Sequence, residues 1–314
     1  MHVIQSEPRP SGPHAALAAA ILLAISAAGA TAHAADDQVA NATLLPETVV
    51  TATRTPTPSD HVGSAISVIT GEELRRRQIT FVSDGLRQLP GLAVNRTSGF
   101  GSSTDVRIRG AEANQTLVLI DGVKVNDPAL SSQFNFGNLL TSDIDRIEVL
   151  RGPQSVLYGS DAVGGVVNII TKRGKGGPRV GATAEYGSFN TKQSTATLSG
   201  GGDAYDFNLN GAFFETDGIS AADERNGNDE EDGNRIKTLR GGFALRPTDF
   251  VELRFDGRWQ GSHVDTDAFT TVAVDDNSFS DGIERFGRGE ARFNLLDENW
   301  EHIFSASLFD NKLK

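Results

Sequence analysis

Hydrophobic and polar positions follow two different rules along this chain. From Ala65 to Lys172 they predict a small mixed α/β domain that opens with the strand AISVIT. Thr70-Gly71-Glu72-Glu73 then fits a T-x-x-E capping box for the helix GEELRRRQ. In the next segment, FVSDGLRQL, residues Val82, Leu86 and Leu89 share one helical face, and Pro90-Gly91 ends the helix. Strands follow, in the order LAVNR, DVRIRG, TLVLIDGVKV, IDRIEVLRG and GGVVNIIT.

After Gly174 helical spacing disappears, and segments of about ten residues alternate apolar with polar. Between 250 and 261, Val251, Leu253, Phe255 and Trp259 fall on one face, opposite Glu252, Arg254, Asp256, Arg258 and Gln260. From Ile283 to Leu295 the same alternation sets Ile283, Ala291, Phe293 and Leu295 against Glu284, Arg288, Glu290, Arg292 and Asn294. A soluble sandwich would turn the charged face to bulk water; an outer-membrane barrel would turn it to the lumen and give the apolar face to lipid. The connections favour the barrel. GGGDA, RPTD and LDEN at one end are short, whereas DGISAADERNGNDEEDGN and TDAFTTVAVDDNSFSD at the other are long.

The amino terminus points to export. AALAAAILLAISAAGATAHA runs apolar from Ala15 and closes on Ala32-His33-Ala34, a small-x-small cleavage pattern, so residues 1–34 read as a secretory signal peptide. The net charge of −12 argues against non-specific nucleic-acid binding. With no cysteine there is no disulfide framework, so an extensive core or a closed sheet must supply stability. The six His are scattered without metal-ligand spacing, which speaks against zinc. YGSDAVGG lacks the G-K-[ST] of a phosphate loop, and no Ser-His-Asp or paired-carboxylate constellation is legible, so an enzyme is not expected.

Three stretches are specific enough to carry a resemblance: LVLIDGVKVN at 117–126, IDRIEVLRGPQSVLYGSDAVGGVVNIITKRG at 144–174, and ETVVTATR at 47–54. Together they resemble TonB-dependent outer-membrane receptors, most closely the cobalamin (vitamin B12) receptors of Gram-negative bacteria. The resemblance implies an α+β plug domain (61–174) followed by antiparallel transmembrane β-barrel strands (175–314). A periplasmic segment (35–60) carries the TonB box. It also implies residence in outer-membrane lipid, TonB as energising partner and cobalamin as ligand. Only about seven strands can be counted, against the 22 of the plugged-lumen class. The chain therefore reads as an amino-terminal fragment.

Site residues follow from the same resemblance. Glu47, Thr48, Val49, Val50, Thr51, Ala52, Thr53 and Arg54 correspond to the TonB box. A β-prone strand flanked by Pro46, Pro56 and Pro58 has no evident place in a home sheet and suits binding by strand addition. The plug apices that would meet substrate are Ser98, Gly99, Phe100, Gly101, Ser102 and Ser103, together with Asn126, Asp127, Ser131 and Ser132. The loop from Asp217 to Asn234 crowds seven acids against Arg225, a composition suited to Ca²⁺ and equally to a solvated loop. By position Glu230, Asp232, Asp267 and Asp275 or Asp276 correspond to calcium ligands of the cobalamin receptors, although Glu230 and Ser220 stand where aspartates are expected. Plug residues Arg107, Arg109, Glu148 and Arg151 are expected to pair with lumen-facing Glu252, Arg254, Glu290 and Arg292. The alternatives are a siderophore or haem receptor, which has little use for acidic calcium loops, a passive surface barrel, which has no use for a TonB box, and a nonfunctional remnant.

Overall fold

The computed structural model describes residues 48, 49, 51, 57, 58, 61–220, 231–269, 273–295 and 300–313, with the side chains of 266–269 and 273–277 excepted. The leader (1–34) lies outside the described residues. Two short strands come first, β1 (Thr48–Val49) and β2 (Thr57–Pro58). The α/β region contains β3 (Ala65–Thr70), α1 (Gly71–Arg76), α2 (Val82–Leu86), β4 (Leu92–Arg96), β5 (Thr104–Ile108), β6 (Thr116–Ile120), β7 (Val123–Lys124), β8 (Ile144–Arg151), α3 (Ser155–Tyr158) and β9 (Gly165–Thr171).

Local rules explain most of these boundaries. The Thr70 hydroxyl accepts from the Glu73 amide at 3.1 Å and caps α1. The helix stops two residues short of the predicted GEELRRRQ, because Gln78 takes a positive φ of 54° and the Ile79 amide bonds back to Leu74. TLVLIDGVKV, expected as one strand, is a hairpin. Asp121 (φ 49°) and Gly122 (φ 78°) supply the two positive φ values of a tight two-residue turn between β6 and β7.

Strands β3, β8, β9, β6 and β7 form one five-stranded sheet in that order, with β6 and β9 parallel. Alternation divides its side chains between two faces. Val118, Ile120, Ile147, Val149, Val167 and Ile169 pack with Leu74, Val82 and Leu86 of the helices in the main core. On the other face Leu117, Leu119, Leu150 and Val166 make a smaller cluster with Ile66 and Tyr158. Burying each such side chain contributes about 1.5–3 kcal/mol.

The second region is one antiparallel sheet of seven strands in sequence order: β10 (Arg179–Tyr186), β11 (Lys192–Gly201), β12 (Tyr205–Thr216), β13 (Asn234–Thr248), β14 (Val251–Phe269), β15 (Ala273–Leu295) and β16 (Trp300–Leu313). Its polarity is reversed relative to a soluble sheet. Asn208, Asn210, Arg240, Arg254, Asp256 and Arg258 are buried toward the α/β region, while Leu239 (60% exposed), Phe255 (58%) and Leu308 (82%) face outward. This is the lipid-out, lumen-in arrangement of a membrane barrel wall. No helix among the described residues is long and apolar enough to cross a membrane, which leaves strands as the membrane-crossing elements in the barrel reading.

One expectation about the loops is overturned. TDAFTTVAVDDNSFSD was expected to be a long loop, but β14 runs 19 residues and β15 runs 23, pairing as far as Phe269 with Ala273. Membrane strands need only about 9–11 residues, so in the barrel reading this hairpin is long enough to extend past a bilayer. Cross-strand backbone bonds keep it extended after the apolar alternation that marks a lipid-facing strand has ended.

Candidate docking site of the amino-terminal segment

The amino-terminal segment is not left without a partner. Thr48 pairs with Pro58 and Val49 with Thr57, so Pro58 occupies a two-residue edge, where a missing N–H is tolerated. Val49 and Thr51 are fully buried. Glu47, Val50, Ala52, Thr53 and Arg54 lie outside the described residues.

Thr51 sits in a socket on the second face of the five-stranded sheet. Register places Glu148 of β8 beside Asn168 of β9. The Glu148 carboxylate accepts from the Thr51 amide at 2.8 Å and from its hydroxyl at 2.5 Å. Asn168 Nδ2 donates to the Thr51 hydroxyl oxygen at 3.1 Å, and the Tyr158 hydroxyl donates to the Thr51 carbonyl at 2.8 Å. Arg146 Nε completes the carboxylate at 2.8 Å. A fully buried carboxylate is tolerated only with such partners. Glu148 was expected to face the barrel wall; the pleat turns it to this opposite face instead. Tyr158 and Asn168 stand within the quoted plug motif, and nothing in their own spacing marks either as functional.

The other expected cross-domain pairs form differently. Arg107 pairs with Glu112 at 3.4 Å, Arg151 donates to Ser67 at 2.7 Å, Glu252 accepts from Arg246 at 2.9 Å and Arg254 donates to Asp256 at 2.7 Å. Glu290 pairs with Arg288 and Arg292. Wall charges two residues apart share one face of a strand, so they neutralise one another before the plug can. Burial, and then the nearby Arg109 guanidinium, lower the pKa of Arg151.

The two apical loops are built differently. In the first, Ser98 N and Gly99 O both bond the Ser102 hydroxyl, which with Ser102 buried is consumed internally. Phe100 stacks on Phe81 at 5.7 Å and meets Phe214 of the wall edge-on at 6.2 Å. Gly101 (φ 85°) lies so close to Asn234 that a Cβ would come within 2.6 Å of its Nδ2. Ser103 is exposed. In the second loop, Asn126 is buried and spends its amide on Val118, Thr116 and Ser132. Asp127 caps Ala129 and accepts from Asn311 of β16 at 2.8 Å. Ser131 and Ser132 hold positive φ values of 56° and 61° at the tip.

The proposed calcium residues are only partly placed. Asp232 is buried, Asp267, Asp275 and Asp276 lie on the β14–β15 hairpin with side chains not described, and Glu230 lies outside the described residues. Among the described residues no group of three or more His, Cys, Asp or Glu is arranged to hold a metal.

A plug-like mixed sheet, a docked amino-terminal segment and an inside-out wall define a plugged-barrel architecture. Residues 58–166 match the family model of the TonB-dependent Receptor Plug Domain. Solved structures agree on the fold. The siderophore receptor PirA from Pseudomonas aeruginosa is 26% identical (TM-score 0.57), with the match covering 79% of this chain and 40% of that one. The alcaligin outer-membrane receptor FauA from Bordetella pertussis is 17% identical (TM-score 0.68; 85% and 43%). The ferric enterobactin receptor PfeA from Pseudomonas aeruginosa is 20% identical (TM-score 0.61; 79% and 41%). The chain thus spans about two fifths of the length of these receptors.

Proposed function

We propose that the protein is an energy-dependent outer-membrane receptor in which residues 47–54 are the docking segment for TonB. The observation that carries this reading is the Thr51 socket. A segment held by one buried carboxylate and two side-chain hydrogen bonds is secured while the site is idle. Once it leaves, Glu148 regains water and keeps Arg146, so release does not strand a charge in an apolar interior. The freed strand can then add to a partner's sheet edge. The inside-out wall supports residence in outer-membrane lipid.

Two solute classes are weighed. The acidic residues Asp217, Glu231 and Asp232 and the TonB-box wording support cobalamin with structural Ca²⁺ held by Glu230, Asp232, Asp267 and Asp275 or Asp276. The likeness to PirA supports a ferric siderophore. Exposed Ser103 and Ser131 belong to the apical surface that would meet either solute.

Capture of the protein by the soluble carboxy-terminal domain of TonB tests the receptor reading. Wild type is captured, deletion of 47–54 abolishes capture, and Glu148→Ala raises it by loosening the socket. Capture that ignores the deletion sinks the reading. Calorimetric titration with cyanocobalamin, with and without millimolar Ca²⁺, and with a ferric catecholate then separates the solutes.

A further inference from the structure

The β6–β7 turn is joined to the wall by a buried ion network that the docking site does not use. Arg240 of β13 is fully buried and donates to four acceptors: the Lys172 carbonyl at 2.8 Å, Asn208 at 3.3 Å, Asp121 at 3.3 Å and Asp256 at 3.0 Å. Asp121 is held from the plug side as well, accepting from the Thr171 amide at 3.0 Å and its hydroxyl at 2.7 Å. Its carbonyl accepts from Arg288 of β15. Thr171 is the last residue of β9, immediately before the covalent link to the wall.

This network lies at the far end of the line along which tension would travel. Thr51 is bonded to Glu148 in β8 and Asn168 in β9, and β9 runs from there to Thr171, which is tied to Asp121. A pull on the amino-terminal segment is therefore carried along β9 to the clamp. Withdrawing the turn together with the end of β9 would take two of the four acceptors, Asp121 and the Lys172 carbonyl, from a buried guanidinium, whereas release at the socket leaves Glu148 with Arg146. The two ends of the line are unequal.

We propose that Asp121 is the positioning residue of a fixed anchor, holding the β6–β7 and β9 ends of the plug on the β13–β15 wall while force acts at Thr51, so that a path opens away from this wall. The inference rests on the receptor function proposed above.

The test places Asp121→Ala and Asp121→Asn in the complete protein in its own cells and measures sensitivity to vancomycin, a solute too large for ordinary porins, with TonB present and absent. With TonB present, Asp121→Ala is expected to raise sensitivity about tenfold, because the pulled plug loses its hold, and Asp121→Asn, which keeps an acceptor oxygen, about threefold. Without TonB both match wild type. Heat-modifiable gel migration verifies that each barrel is folded, and the milder variant keeps the test alive should the alanine variant not assemble. Folded variants as resistant as wild type overturn the anchor, as does equal leakage with and without TonB, which would make Asp121 a static seal. Wild-type capture by TonB, run in parallel, separates the failures. Positive capture with tight variants sinks the anchor alone, whereas absent capture overturns the receptor reading and the anchor with it.

Discussion

The plug and the wall bury opposite chemistry, and the contrast shows what decides which side of a strand is inside. In the plug, β6 and β8 turn Ile120 and Ile147 to an apolar core, and the one carboxylate that β8 buries, Glu148, lies on the opposite face among polar partners. In the wall, β13 turns Arg240 inward and Leu239 outward, on neighbouring residues. Both strands alternate with the same period of two. In the barrel reading the medium on the outer face differs: water rewards a polar exterior, hydrocarbon an apolar one, and the lumen side must then satisfy its charges by pairing. The wall does so with Arg254 and Asp256, Arg288 and Glu290, and Arg246 between Asp206 and Glu252.

The comparison can be broken most forcefully at Arg240. Arg240→Met takes the guanidinium from Asp121 and Asp256, leaving Asp121 with Thr171 and Asp256 with Arg254, and should cost about 3–5 kcal/mol in urea unfolding from detergent micelles. An unchanged midpoint would mean that the inward charges are solvated. On the outward side, Leu239→Arg should cost about 2–4 kcal/mol if the residue meets mid-bilayer hydrocarbon. A neutral result in lipid vesicles would return the wall to the soluble class. Within the plug, Ile147→Val should cost about 0.5–1.5 kcal/mol, the mark of an ordinary close-packed core, and leave the wall's protease resistance unchanged. The smallest effect is expected at the plug surface. Thr70→Ala removes the cap of α1 at about 1 kcal/mol, measurable as faster amide exchange at Glu73 with none at β13.

Much of the fold was legible in the residues. The alternation from Val251 to Gln260 and from Ile283 to Asn294 marked strands correctly, because membrane strands carry their pattern at every second residue. The AISVIT, LAVNR and GGVVNIIT segments fell close to their observed limits because Gly, Pro and capping residues bracket them. Helix ends were less legible, since a single positive φ at Gln78 stopped α1 inside a run of good helix formers. The β14–β15 hairpin was misjudged as loop because from 266 to 281 the apolar residues Ala268, Phe269, Val272, Ala273, Val274 and Phe279 do not keep a period of two.

The docking site was legible by halves. ETVVTATR and Glu148 were both noticed, but nothing in one dimension joins residues 97 positions apart, and the pairing of Glu148 with wall charges proved wrong. Asp121 was passed over although Asp-Gly between apolar runs is a hairpin signal, and Arg240 was one of many charged residues on an alternating strand.

By itself the sequence determined where strands and helices form, that the charged face of each wall strand is set against an apolar one, and that a β-prone segment precedes the plug. These depend on neighbours within a few residues, whose spacing is written directly in the chain. Only the tertiary structure decided that Thr51 fills a socket on Glu148, that wall charges pair among themselves, and that Asp121 meets Arg240. Such choices are made by register and pleat across strands distant in sequence, and by the desolvation cost that leaves a buried charge no tolerable state except a paired one.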